Sequence, residues 1–415
     1  MIKIVLMVVF VRLIIVKNWI LIFYYNLCYL LRFIVFFIYM YKDIKWNIIS
    51  LIFRCQYYSI WLVILRLWIL GLMMICLNKM ICINILIFLV LLISLMIFFL
   101  SIDLILFYLM FEIRLIPTFF LIIYWGANLE RINAAYYLLL YILVISFPLL
   151  LYIFKIYMYG LTLKFRLILL IIRTYDFNFW GYLIIYISFF IKMPIYIVHI
   201  WLPKAHVEAP VYGSIILAGV LLKIGSYGLI RILEIFSRRR VKYNYLIFRI
   251  RIVGRLIVGV VCLVQVDIKR LVAYSSVVHI NLILCSIMTL FNLGFLRRYI
   301  IMISHGLCSS GLFYMVNLYY RRTIRRLLIL NKGLIGRISI FILWWFLLCS
   351  ANFSFPFSLN FIREILILIV IINWSEFLIV YLIIICFFRR AYSLYLFSYV
   401  QHGGPRGGGR LIGLD

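Results

Sequence analysis

Lys192, in Phe-Phe-Ile-Lys-Met-Pro, and Lys223, in Leu-Leu-Lys-Ile-Gly-Ser-Tyr-Gly, each stand inside an apolar run long enough to cross a membrane. A charged side chain at the centre of such a run costs roughly 2.5–3.5 kcal/mol on insertion scales, so lysines there point first to an ion or proton path. Glu112, in Leu-Met-Phe-Glu-Ile-Arg-Leu-Ile-Pro, lies deep in another run and offers a carboxylate partner to a lysine on a separate helix. Burial favours the neutral forms of both groups and pairing favours the charged forms, so small changes in spacing or hydration move a proton. A purely structural salt bridge is the alternative, because breaking a buried pair is strongly destabilising.

His279 follows Ser275 and Ser276 at i−4 and i−3, and His305 precedes Cys308 and Ser309 at i+3 and i+4. A histidine titrates near neutral pH and can both accept and donate, which suits a relay between carboxylate and lysine stations. The other reading is a core histidine bonded to a serine or a carbonyl. Glu364 completes a series of titratable groups on different spans. Gly219 and Ser226, at i−4 and i+3 from Lys223, leave room beside its amine for water or for close helix packing. On a continuous helix His199 shares the face of Lys192. His206 and Glu208, expected in the following loop, form an H-x-E pattern with no further ligand at metal spacing, so no metal is expected.

The elements that position these groups must be helices in lipid. The chain is 68% hydrophobic and 13% charged, with a mean hydropathy of +1.22, more apolar surface than one soluble core can hide. Its apolar runs are too continuous for the alternating strands of a barrel. The expected fold is all-α and polytopic, with about 13 transmembrane helices set by bilayer thickness. The clearest cover 59–77, 82–100, 102–124, 134–158, 179–200, 211–235, 256–290 (as two), 299–319, 338–356 and 365–388. We divide the chain into N-terminal helices (1–100), a translocation core (101–390) and a tail (391–415). Pro194 and Pro356 suggest broken helices in corresponding places of two halves, as inverted-repeat transporters have. The nine cysteines stand singly, without the spacing of iron–sulfur or zinc sites, and read as ordinary buried side chains. No leader of the transit-peptide kind precedes the first span, so the N-terminus is expected to be retained.

Long ordered motifs carry a resemblance: Phe-Glu-Ile-Arg-Leu-Ile-Pro-Thr, Trp-Gly-Ala-Asn-Leu-Glu-Arg, Trp-Leu-Pro-Lys-Ala-His-Val-Glu-Ala-Pro, Leu-Ala-Gly-Val-Leu-Leu-Lys-Ile-Gly, Ala-Tyr-Ser-Ser-Val-Val-His and Ser-His-Gly-Leu-Cys-Ser-Ser-Gly-Leu-Phe. Over residues 100–402 the chain resembles the subunit 4 family of mitochondrial NADH:ubiquinone oxidoreductase, respiratory complex I. The resemblance implies an antiporter-like, multi-pass subunit of the mitochondrial inner membrane, with inverted repeats of five helices and two discontinuous helices. It implies that Glu112 and Lys192 are a coupling pair, Lys223 the central relay lysine, His279 and His305 relay histidines and Glu364 the terminal carboxylate. It further implies that this chain binds no cofactor itself. NADH, FMN, iron–sulfur clusters and ubiquinone are expected in partner subunits. The partners implied are other membrane-arm subunits and the lipid bilayer. Nucleic acid is not expected, because the basic residues are dispersed among apolar spans. A free-standing cation/proton antiporter of related architecture is the rival, and a purely structural membrane subunit is a third reading.

A formal charge of +30, from 41 Lys and Arg against 11 Asp and Glu, is high for so apolar a chain. Arg114, Arg270, Arg363, Arg389 and Arg390 stand where the resembled family has small polar residues. Arg114 cannot neutralise Glu112, because two residues turn a helix by about 200°. Loop position and snorkelling account for Arg238-Arg239-Arg240. For Arg114 and Arg363 we read instead codons AGA or AGG, which invertebrate mitochondria translate as serine. The abundance of Ile over Met, with 13 Met, fits the same code, where ATA means Met. The glycine-rich segment after His402 reads as a flexible end or a frame error.

Overall fold

The computed structural model describes residues 57–402, apart from 77–81, 127, 172–178, 237–240, 290–291, 324–325, 329–331 and 333–338. The expectations for residues 1–56, for Arg238-Arg239-Arg240 and for the segment after His402 lie outside these residues. The described chain is helical, and its only backbone pairings between extended residues are isolated bridges at Asp103–Lys164 and Asp267–Leu327. Helices α1 (Tyr57–Ile75) and α2 (Cys82–Leu100) come first. The expected span over 102–124 is two helices, α3 (Leu104–Ile113) and α4 (Leu115–Trp125). Pro117 supplies the reason: its ring opposes the carbonyl four residues earlier, at Ile113, and it brings no N–H to the ladder. Glu112 therefore sits at a joint.

Helix α5 (Arg131–Gly160) and the short α6 (Phe165–Ile171) lead to α7 (Phe179–Lys192). Pro194 ends α7 at Lys192, since it disfavours a helical residue before it. After a single turn at Tyr196–Val198 the span resumes as α8 (Trp201–Glu208). The expected span over 179–200 is thus broken at Pro194, as the proline suggested, and the face that a continuous helix would give His199 in common with Lys192 is lost. His206 and Glu208, expected in a loop, lie on α8 and are buried.

Next come α9 (Val211–Ile216), a widened turn at Leu217–Leu221 and α10 (Leu222–Ile235), together one span buried from Tyr212 to Leu233. The run 256–290 divides as expected, into α11 (Val241–Val264) and α12 (Ile268–Met288). Helix α13 (Asn292–Thr323) precedes α14 (Ser339–Asn352) and α15 (Leu359–Trp374), which the break around Pro356 separates. The expected span 365–388 is a correction: α15 ends at Trp374, and Ser375-Glu376-Phe377 turn the chain into α16 (Leu378–Gln401).

Six helical stretches among the described residues are long and apolar enough to cross a membrane, and four more are shorter. From α2 to α10 the chain makes five spans, α2, α3–α4, α5, α7–α8 and α9–α10, and from α11 to α16 another five. In each run the fourth span is interrupted beside a proline, Pro194 or Pro356, by several residues outside the α-helix, whereas α3 and α4 adjoin at Arg114. An odd number of crossings starts the second run at the opposite face, so the two runs are inverted with respect to each other.

Candidate functional site

Lys192 occupies the last turn of α7, where the break leaves its amine free to reach sideways. It donates to Oε1 of Glu112 at 3.0 Å and to the carbonyl of Phe111 at 2.9 Å, and lies over the Phe111 ring. The lysine is buried and the carboxylate nearly so. The carbonyl and the ring face together hold the ammonium where a bare ion pair in an apolar medium would be poorly compensated. Sequence reasoning anticipated this pair.

Lys223 follows the widened turn in its own span. Its amine donates to the carbonyl of Ala218 inside that turn, where the regular bonding pattern is relaxed. It also meets Nδ1 of His305 at 3.1 Å. The rings of His305 and His279 lie 5.3 Å apart. Arg363 donates to Nδ1 of His279 at 3.1 Å, so that nitrogen accepts, and the ring proton on Nε2 donates to Oδ1 of Asn352 at 2.9 Å. Ser275 and Ser276 turn instead to the carbonyls of Val272 and Ala273, so the polar face expected around His279 is built by Asn352 and not by its own helix. Glu364 receives bonds from Ser354 and Arg389, and Arg255 stands 3.9 Å away.

The six expected residues fall into two groups. Glu112 and Lys192 form one, and Lys223, His305, His279 and Glu364 line the other in that order. They meet where α10 packs on the end of α7: a Cβ at Gly225 would lie 2.6 Å from Met193 and 3.3 Å from the Lys192 backbone. The small residues beside Lys223 thus serve close packing, for Gly219 is pressed against Ile69 and Gly228 against Phe189. Sequence reasoning missed Asn352 and Ser354. The polar cluster Ser-Ala-Asn-Phe-Ser just before Pro356 was the signal.

Several arginines sit badly. Arg114, Arg251 and Arg255 are buried, and two, three and two of their respective guanidinium nitrogens have no hydrogen-bond partner. Arg363 and Arg389 are buried beside Lys223 and Arg255 with Glu364 as the nearby carboxylate. Arg270, in contrast, is exposed and paired with Asp267 at 3.1 Å, as an ordinary surface residue. Among the described residues no group of three or more His, Cys, Asp or Glu could hold a metal.

The sequence profile of the NADH:quinone oxidoreductase/Mrp antiporter transmembrane family matches residues 101–388. Over 349 residues the chain is 44% identical to an NADH-ubiquinone oxidoreductase chain 4 of Ceratitis capitata, covering 82% of this chain and 77% of that protein. Its fold is similar to a chain of respiratory complex I from Thermus thermophilus, at a TM-score of 0.81 and 20% identity over 94% and 86% of the two chains. The likeness to a chain of the Mrp complex from a Dietzia species is lower, at a TM-score of 0.72 and 16% identity over 85% and 68%.

Proposed function

The chain belongs to the NADH:quinone oxidoreductase/Mrp antiporter transmembrane family, and from that premise we propose that Glu112, Lys192, Lys223, His305, His279 and Glu364 are the stations of its proton path. It is a proton-translocating subunit of respiratory complex I, a multi-pass protein of the mitochondrial inner membrane with other complex I subunits as partners. Those partners are membrane-arm subunits. The NADH, FMN, iron–sulfur and ubiquinone chemistry belongs to partner subunits elsewhere in the complex, and this chain contributes charge movement alone. Its translocation core spans 101–390.

The observation that carries the reading is the run of contacts from Lys223 through His305 and His279 toward Glu364, with the Glu112–Lys192 pair packed against its near end. An ion pair at about 3 Å and an effective dielectric near 20 is worth on the order of 5 kcal/mol. Moving one charge across 100 mV takes about 2.3 kcal/mol. The redox energy needed to open one such pair therefore exceeds what one proton requires against a membrane potential, so the pair can pass that energy on. When Lys192 leaves Glu112, its charge turns toward Lys223 and favours release of a proton there. His305 accepts it on Nδ1 and passes one from its other nitrogen toward His279, whose Nδ1 takes it once its bond from Arg363 opens. When Lys192 returns to Glu112, Lys223 can be reloaded.

The test is Lys223→Ala in the assembled complex, reading protons pumped per NADH oxidised in sealed vesicles. The ratio should fall. An unchanged ratio in an assembled complex contradicts the path and favours a structural subunit. Cation/proton exchange by the isolated, reconstituted chain without NADH favours the antiporter rival.

A further inference from the structure

Phe111 is not among those stations, yet of the buried lysines Lys192, Lys223 and Lys269 only Lys192 has an aromatic face against its amine among the described residues. The amine meets Oε1 of Glu112 at 3.0 Å, the Phe111 carbonyl at 2.9 Å and the centroid of the Phe111 ring at 2.9 Å. That carbonyl belongs to the last turn of α3, where carbonyls have no partner within the helix. The ring is fully buried and set among Phe189, Phe98 and Phe107, with centroids at 5.0, 6.2 and 6.4 Å. Phe189 is itself pressed by α10 at Gly228, so the ring face stays turned to the amine.

Of these contacts only the carboxylate responds to protons. Glu112 gives Oε1 to the lysine, while Oε2 is buried with no hydrogen-bond partner. A proton reaching Glu112 therefore has an unoccupied oxygen to bind, and the lysine need not be displaced to admit it. The carboxyl then loses its charge and with it most of its attraction for the ammonium. The carbonyl dipole and the ring quadrupole keep theirs, and both act more strongly in a dry site than in water.

We propose that Phe111 is a positioning residue that keeps Lys192 docked while Glu112 is neutral, so that a proton enters the pair without freeing the lysine. In the step itself a proton bonds to a lone pair of Oε2 and later leaves it; no other bond forms or breaks. Protonation alone leaves the lysine in place, and its departure waits for movement of α3 or α7. The inference rests on Lys192 being a station of the path.

The experiment compares Phe111→Leu, Phe111→Tyr and Lys192→Gln in assembled complex I, each scored as protons per NADH in sealed vesicles over a range of pH. A cation on a desolvated ring face shifts its docking equilibrium by about 30-fold, or about 2 kcal/mol at about 1.4 kcal/mol per factor of ten. In Phe111→Leu the ratio should match the unaltered complex at high pH and fall on the acid side with a midpoint about 1.5 pH units higher. Phe111→Tyr, which keeps the ring face, should restore the unaltered profile. With a lowered ratio in Lys192→Gln, an unaltered profile in Phe111→Leu, or a loss equal at every pH, overturns this proposal and leaves the path standing. A Phe111→Tyr profile displaced as far as that of Phe111→Leu does the same. A normal ratio in Lys192→Gln overturns the path itself. A map of the Glu112→Gln complex that assembles gives a second measurement with Phe111 unchanged. The Lys192 amine should remain against the ring and carbonyl of Phe111, and an amine turned away from both overturns the proposal.

Discussion

Glu112 and Lys192 hold each other at 3.0 Å in a buried setting, and two accounts of that pair make different forecasts. Glu112→Gln leaves the lysine uncompensated and should cost about 3–5 kcal/mol of stability, read as loss of assembled complex on a native gel. Removing both charges, in Glu112→Gln with Lys192→Gln, should recover most of the assembly but none of the pumping. A structural salt bridge would let pumping return with assembly. The arginines call for a separate forecast. Arg114, Arg251 and Arg255 bury guanidinium nitrogens that make no hydrogen bond, Arg255 with Glu364 3.9 Å away, and burying a charge without full compensation costs several kcal/mol. Peptide sequencing of the natural protein should find serine at Arg114 and Arg363, and codons of the CGN class at those positions contradict this. At this scale the sequence was legible for the ionisable groups, because a charge in an apolar run needs no partner to be noticed. Asn352 was not, since a neutral amide carries no such mark until His279 is seen to bond it.

Among the elements, the broken spans were readable at Pro194 and Pro356, because a missing N–H and a fixed ring end a helix locally. The joint at Arg114 follows from the same rule applied to Pro117. The division at Ser375-Glu376-Phe377 was missed because no proline or glycine marks the turn, although Asn373, Ser375 and Glu376 interrupt the apolar run there. Helix packing was hidden too, for glycines within a span are equally suited to water and to close approach. Gly225 and Gly71 separate the two cases. A Cβ at Gly225 would lie 2.6 Å from Met193, whereas none of the surrounding atoms lies within 4 Å of one at Gly71. Gly225→Ala should therefore cost about 1–3 kcal/mol and lower pumping by displacing the end of α7. Gly71→Ala should be tolerated or gain up to about 1 kcal/mol of helix propensity. Thermal stability of the assembled complex, measured beside its pumping ratio, checks both.

As a whole molecule the chain is sorted by exposure. The span α9–α10, which carries Lys223, is buried from Tyr212 to Leu233, while α5 and α16 present apolar side chains outward, among them Val144, Leu151, Val380 and Phe387. Composition alone foretold a membrane protein, but which spans form the centre required the packing. A cation at Val144 should cost roughly 2.5–3.5 kcal/mol in the bilayer and reduce assembled complex, whereas the same change at the exposed Lys204 position is already met by nature.

The central claim is that Lys223, His305, His279 and Glu364 are links in series, and the proton-to-NADH ratio of Lys223→Ala, Glu364→Gln and the double variant, in assembled complex, tests it most directly. Links in series predict equal losses in the two single variants and no further loss in the double. A preserved ratio in Lys223→Ala, or a double variant that loses the sum of both, contradicts it.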